Sequence, residues 1–231
     1  MTVKPVAVVT ALAVGALAAA FPPQARPSRT GGTVRPAVHV LLPGQNHIAA
    51  AAGAGNAEAK NYTATQASYS PPDVTLIDRS GKPVQLAALL HQPRPVLLEF
   101  VFTSCTTICP ILSATFSQGQ KDVAQISPDY LMISISIDPE YDTPARLDAY
   151  ARRYHPGENW LFLTGKKKDV FQVLKAFGAL YQSDNKMYHR PYTFLRARSG
   201  PAWRRLEGHP SSNDLLDEYR GIISASGSAG K

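Results

Sequence analysis

Three short apolar runs, each followed by a helical pattern, constrain the fold of this chain more than any other feature. The runs span residues 96–102, 130–137 and 160–164. Strands buried on both faces read as continuous apolar runs, because helices cover both sides of a parallel sheet. We therefore predict an α/β domain with these three strands at the centre of its sheet.

The remaining patterns complete a three-layer α/β/α sandwich with a mixed sheet. An N-terminal hairpin is predicted at residues 74–86, because two apolar runs flank Arg79-Ser80-Gly81-Lys82-Pro83. A helix opening at Pro110 places apolar residues at spacings of three and four. Further segments are predicted as helices 143–154, 167–180 and 211–223, a strand at 192–198 and its hairpin partner at 203–206.

The net charge of +7 does not indicate a nucleic-acid-binding protein. Residues 1–57 contain no acidic residue and four basic ones, so that segment carries +4 and the remaining 174 residues carry +3 (7 less 4). A surface that recognises a polyanion needs a much denser cluster of positive charge. We therefore predict no nucleic-acid partner.

The first 20 residues have the pattern of an export signal. Lys4 precedes an uncharged stretch at 5–20 that ends in small residues, with cleavage predicted after Ala20 or, as second choice, after Ala25. An uncleaved membrane anchor is the alternative. Residues 21–70 are rich in Pro, Ala and Gly and are predicted to form a linker, with a short strand at 38–42. The domain is then expected at 71–224, followed by a flexible tail at 225–231.

The two cysteines form the most informative motif. Cys105 and Cys109 follow the strand at 96–102 and precede Pro110, so they lie where a strand meets the N-terminus of a helix. That position lowers thiol pKa values, and two cysteines four residues apart can exchange disulfides or share a soft metal ion. A structural disulfide is the alternative, although so short a loop would add only about 2 kcal/mol.

The sequence from Phe102 to Pro110 resembles the cysteine motif of the Sco/SenC copper-chaperone family. Further matches follow in order along residues 71–223: the acidic turn at 135–144, Leu163-Thr164-Gly165, and His189 six residues before Leu195. The resemblance implies a thioredoxin-like fold and an exported protein. If residues 1–20 are not cleaved, they would anchor the protein to the outer face of the cytoplasmic membrane. If they are cleaved, the protein would be periplasmic.

The resemblance also implies the site and its role. Cys105, Cys109 and His189 are expected to bind copper, as Cu⁺ or Cu²⁺. The protein is expected to deliver this copper to the copper site of cytochrome c oxidase or to maintain the thiols of that site. Its expected partner is a copper-receiving oxidase subunit or another copper or thiol protein. Cys105 and Cys109 are expected to act as a redox dithiol as well. The family usually has Asp before the histidine, where this chain has Tyr188.

The residues also allow two alternative functions. A thiol–disulfide oxidoreductase acting on partner cysteines needs the dithiol but not His189. A peroxiredoxin-like peroxidase is less favoured, because the sequence before Cys105 lacks the proline that normally precedes the peroxidatic cysteine. Asp138 and Asp142 either end a strand and begin a helix or dock a partner. The Arg190–Pro191 bond is predicted to be cis, with His189 beside the dithiol.

Overall fold

A computed structural model describes residues 60–181, 185–198 and 201–228. The predicted export signal, the strand at 38–42 and all of the predicted linker before residue 60 lie outside these ranges. Within them, no helix combines the length and the apolar composition needed to cross a membrane.

The described residues form one mixed sheet. Its strands are β1 (Tyr62–Ser68), β2 (Thr75–Asp78), β3 (Pro83–Gln85), β4 (Val96–Val101), β5 (Leu131–Ser136), β6 (Trp160–Thr164), β7 (Tyr192–Arg196) and β8 (Ala202–Gly208). They lie in the order β1-β8-β7-β4-β5-β6-β2-β3. Strands β4, β5 and β6 are the three predicted central strands; they pair in parallel, and β7 pairs antiparallel to β4. The predicted hairpin is β2 with β3.

Helices cover both faces of this sheet, as the predicted three-layer sandwich requires. Adjacent residues of β4 show this, because they point to opposite faces. Glu99 meets Ser113 of the second helix on one face, whereas Phe100 packs against Phe177 on the other. The helices are α1 (Leu86–His91), α2 (Ile108–Ile126), α3 (Pro144–Arg152), α4 (Lys167–Ala176) and α5 (Ser212–Ser228), with a 3₁₀ turn at Lys186–Tyr188.

The sheet begins earlier in the chain than predicted. Residues 62–68, assigned to the linker, form β1 and pair along their full length with β8. Tyr62 at the start of β1 is buried and donates a hydrogen bond of 2.9 Å to Glu218 of α5. Most other residues of β1 are exposed, so the strand has no apolar alternation that sequence analysis could detect.

Several helix boundaries also differ from the prediction. Helix α2 starts at Ile108 and so includes Cys109, and α4 ends at Ala176 because Gly178 adopts a left-handed conformation with φ +61°. Helix α5 is capped by Ser211, whose Oγ accepts from the Asp214 N–H at 3.1 Å, and it extends into the predicted flexible tail. Helix α1 was not predicted.

Candidate metal and dithiol site

The two cysteines lie at the carboxyl end of the central strand β4. Cys105 follows a tight turn in which its N–H donates to the Phe102 carbonyl at 3.1 Å, and Cys109 lies in the first turn of α2. Both thiols are free in the structure, and both are buried, at 5% and 0% exposure. The predicted position at a strand–helix junction is confirmed.

The turn geometry stabilises a thiolate at Cys105. Burial alone would raise its pKa, but backbone hydrogen bonds from Cys109 and Thr107 outweigh burial, so the pKa of Cys105 lies below the ordinary thiol value. The Cys109 N–H points at the Cys105 sulfur at 3.5 Å. The helix N-terminus therefore acts on the first cysteine of the motif.

Cys109 has the opposite electrostatic environment. Burial raises the pKa of its thiol well above the ordinary value, and the negative charges of Cys105 and Glu99 raise it further. The two cysteines thus differ in character: Cys105 favours the thiolate, whereas Cys109 holds its proton. This asymmetry suits a nucleophile paired with a second thiol that reacts after it.

His189 faces Cys109 from the far side of the site. Its Nε2 lies 3.5 Å from the Cys109 Sγ, and its Nδ1 lies 3.2 Å from the Arg190 carbonyl oxygen. A carbonyl oxygen only accepts, so Nδ1 carries the proton of the neutral ring and Nε2 presents a lone pair to the sulfur. Burial lowers the pKa of His189, which favours this neutral form.

Contacts with neighbouring elements hold the loop that carries His189. Lys186 forms an ion pair with Asp138 after β5, and its ammonium lies 5.4 Å from the centre of the Phe102 ring. Phe102 in turn packs edge-on against the His189 ring, with centroids 5.5 Å apart. Asp138 therefore positions the histidine loop, a role that neither sequence hypothesis included.

The predicted cis bond before Pro191 is wrong, because the Arg190–Pro191 peptide is trans. The histidine reaches the dithiol without it, since the 3₁₀ turn and the Lys186 ion pair already direct the loop. Arg190 does not add positive charge to the site, because its guanidinium pairs with Glu207. Tyr188, which stands where the family usually has Asp, is 71% exposed.

Asp142 ties the cysteine turn to the end of β5. Its carboxylate is fully buried and accepts hydrogen bonds from the Thr103 N–H at 3.1 Å, from the Thr103 hydroxyl at 2.5 Å and from the Ser136 hydroxyl at 2.6 Å. These bonds fix the turn two residues before Cys105. Of the two hypotheses for Asp142, the structure supports the structural one.

Glu99 is a buried acid on β4 that sequence analysis overlooked. Ser134 and Ser113 donate to its Oε1 at 2.7 and 3.0 Å, whereas its Oε2 has no partner. Burial raises the pKa of Glu99 to about 7, against the lowering effect of the two serines. A single acidic residue inside an otherwise apolar strand was the signal that could have revealed it.

The site brings together two sulfurs and an imidazole nitrogen, which is the donor set that copper prefers. Sequence analysis predicted these three residues, and the structure places them around one end of α2. No group of three or more His, Cys, Asp or Glu side chains within the described ranges is already arranged as a metal site.

The fold and the site define a thioredoxin-like protein with a dithiol and a histidine at the end of its central strand. The sequence profile of the SCO1/SenC family matches residues 63–224, and the chain belongs to this family. It is 31% identical over 160 residues to the SCO1 protein homolog of Bacillus subtilis (strain 168), covering 66% of this chain and 82% of that protein. The resemblance found in the sequence is confirmed.

Solved structures show the same fold. BsSco, described as having a disulfide switch and as a member of the Sco family of cytochrome c oxidase assembly proteins, is 28% identical. Its TM-score is 0.57, and the match covers 68% of this chain and 95% of BsSco. Arabidopsis thaliana ScoI with copper bound has a TM-score of 0.57 at 23% identity, over 69% of this chain and 99% of that protein.

Proposed function

We propose that this protein binds one copper ion as cargo through Cys105, Cys109 and His189. The observation that carries the proposal is the 3.5 Å approach of the unprotonated His189 Nε2 to the Cys109 Sγ, beside a second thiol that favours the thiolate. Two thiolates and an imidazole suit copper in either oxidation state. Membership of a family whose relatives include a copper-bound ScoI supports the choice of metal.

We propose further that the protein delivers this copper during assembly of cytochrome c oxidase. BsSco is described as belonging to a family of oxidase assembly proteins, and this chain belongs to the same family. The export pattern of residues 1–20 supports action outside the cytoplasmic membrane, free in the periplasm or tethered to the outer face.

The surface around the site has the properties of a docking face. Five large apolar side chains of the described residues are at least 43% exposed, and four of them lie in the segments that carry or flank the ligands. Tyr188 and Met187 precede His189, Ile111 follows Cys109, and Tyr141 lies 5.6 Å from the Lys186 ammonium. Exposed aromatic and methionine side chains are typical of protein-binding surfaces. We expect the receiving subunit to contact this face.

Copper affinity measured by competition with a chromophoric Cu⁺ chelator tests the proposal. Cys105→Ser, Cys109→Ser and His189→Ala should each weaken binding by at least about tenfold, because each removes one of three ligands. His155→Asn is the matched control: His155 is exposed, and Asn tolerates its left-handed backbone with φ 49°. Wild-type affinity in either cysteine variant would show that the thiols do not share one ion.

A thiol–disulfide reductase is the second candidate, and the unequal cysteines favour it. The Cys105 thiolate would attack a partner disulfide, forming a mixed disulfide and releasing one partner thiolate. Cys109 would then lose its proton and attack the Cys105 sulfur, releasing the second partner thiol. The partner gains two electrons, and the dithiol of this chain becomes a disulfide.

His189→Ala separates the two candidates. A copper carrier loses metal binding and delivery with this variant, whereas a reductase keeps its rate of disulfide reduction. The measurement is reduction of a model disulfide by the reduced, copper-free protein, with Cys105→Ser as the inactive reference. Loss of reduction in His189→Ala would count against a dithiol function independent of the histidine.

A further inference from the structure

A cavity of about 400 Å³ lies near the start of the central strand β4, at the opposite end of that strand from the dithiol. Arg196 at the end of β7 pairs in register with Val96 at the start of β4, whereas Cys105 follows the far end of β4. The length of β4 therefore separates the two places, at roughly 17 Å along the strand. We call this the Arg196 cavity; its walls include Tyr69, Leu90, His91, Arg196, Arg198 and Trp203.

Among the residues that the structure describes, none is a counterion for the buried cation Arg196. Its side chain is 6% exposed, and no described residue forms a hydrogen bond with its Nε or Nη2 atom. Its guanidinium lies over the Trp203 ring, 5.0 Å from the ring centre. Buried charges in folded proteins are normally paired, because an isolated one loses its hydration without compensation. Arg204 on β8 shows the usual arrangement, since Glu218 binds it at 2.8 Å.

The walls of the cavity favour an anion. Among the residues that the structure describes, no aspartate or glutamate lines it, while Arg196, Arg198 and His91 do. The hydroxyl of Tyr69 is also buried in the wall and has no partner. Two separate groups in the cavity lining, the guanidinium of Arg196 and the phenol of Tyr69, thus have hydrogen bonds left to donate within the described part of the chain.

The walls of the cavity also favour an anion that carries an apolar organic group. Leu90 and three prolines (Pro71, Pro93 and Pro201) supply apolar surface around the polar groups. The volume lies within the range of small-molecule sites, which are mostly apolar with a few placed polar groups. A guanidinium fork matches the two oxygens of a carboxylate or phosphate.

We propose that the Arg196 cavity binds a small organic oxoanion, with its carboxylate or phosphate on Arg196 and its apolar part against Leu90 and the prolines. This site is independent of the proposed copper function, because none of its residues takes part in the dithiol centre. Burial alone lowers the pKa of Arg196, in agreement with a cation that has no anionic partner in the protein.

The test is calorimetric titration of the full chain with four probes: benzoate, phenyl phosphate, acetate and inorganic phosphate. Benzoate and phenyl phosphate should bind, and their relative affinities show whether the cavity prefers a carboxylate or a phosphate. Acetate and inorganic phosphate lack the apolar ring and should bind at least about tenfold more weakly. Equal binding of acetate or inorganic phosphate would overturn the organic class. Absence of binding by all four would overturn the site.

Substitutions of Arg196 test whether the probes bind in this cavity. Arg196→Met should weaken benzoate binding by about tenfold or more, because it removes a charge-assisted hydrogen bond. Arg205→Met is the matched control, since Arg205 stacks on Tyr192 at 5.0 Å on the neighbouring strand and lies outside the cavity. Arg196→Lys keeps the charge and loses the fork, so it tests the same contact if the methionine variant fails to fold. Unchanged binding in both Arg196 variants would contradict the proposal.

Discussion

The Nε2 of His189 lies 3.5 Å from the Sγ of Cys109, although the two residues are 80 positions apart in the chain. Strand β7 brings them together because it pairs beside β4, so that the loop before β7 and the turn after β4 meet at one edge. The order of the strands in the sheet therefore brings the residues of the site together. The proposed ligands come from two elements that approach only when β7 pairs with β4.

The cysteines should react with alkylating reagents in a fixed order. In the reduced, copper-free protein, iodoacetamide should modify Cys105 first, because its lowered pKa keeps more of it as thiolate at a given pH. Its rate should reach half-maximum at a lower pH than that of an ordinary thiol. Mass spectrometry after timed quenching measures both sites.

Cys109 should resist alkylation until the protein unfolds, because burial raises its pKa and removes it from solvent. The unfolded chain in urea is the control, in which both thiols should react at similar rates. Faster modification of Cys109 than Cys105 in the folded protein would contradict the assigned roles.

Glu99 should make the stability of the protein fall as the pH rises from about 4.5 to about 7. The unfolded carboxyl ionises near its ordinary value of 4.5, whereas burial holds the native pKa at about 7. In this window the native state keeps a proton that the unfolded state has released, so rising pH favours unfolding, and the loss is complete above pH 7. The expected total is about 3 kcal/mol.

Glu99→Gln should remove that dependence. Urea unfolding at pH 4.5 and pH 7.5 should show the variant gaining about 3 kcal/mol relative to wild type between the two values. Glu158→Gln, at an exposed position, is the control and should show no such gain. A difference from wild type that does not vary with pH would rule out Glu99 as the titrating group.

Asp142→Ala should destabilise the protein by about 3 kcal/mol, because it leaves the half-buried N–H of Thr103 and two hydroxyls without their acceptor. It should also speed alkylation of Cys105, since the turn loses its anchor. The control is Asp129→Ala, at a side chain that is 64% exposed, which should change stability by less than about 0.5 kcal/mol. Equal effects of the two substitutions in urea unfolding would contradict the assigned role.

A chain beginning at Pro71 should be less stable than one beginning at Lys60, by roughly 4 kcal/mol or more. The shorter chain lacks β1, whose Tyr62 is buried against Glu218, and it also lacks Tyr69, whose ring stacks on Phe177 at 5.3 Å. Urea unfolding of both chains measures the difference. Coinciding midpoints would restore the original prediction that the domain starts at residue 71.

The sequence predicted the centre of the fold better than its edge. The runs that became β4, β5 and β6 were predicted to within one residue at each end, because burial on both faces makes most of their residues apolar. Strand β1 was missed, because it lies at the sheet edge and its only fully buried residue is Tyr62. An edge strand of this kind is defined by its partner β8 and not by its own composition.

The residues of the candidate site also differ in how well the local sequence predicts them. Cys105 and Cys109 could be placed by local chemistry, because a strand, a turn and a helix start lie within a few residues of each other. His189 was assigned through the family resemblance alone, since its approach depends on the pairing of β7 with β4. The supporting pairs Lys186–Asp138 and Thr103–Asp142 join segments 48 and 39 positions apart, and no local pattern encodes them.

The pairing of β1 with β8 has a consequence for the order in which the chain folds as it is made. Tyr62 pairs with Gly208, which is 146 positions later (208 less 62). At about 5–20 residues per second, synthesis leaves β1 without its partner for roughly 7–30 s. The parallel core strands are complete well before then. Among the strands that the structure describes, the first to leave the ribosome is thus the last that can join the sheet.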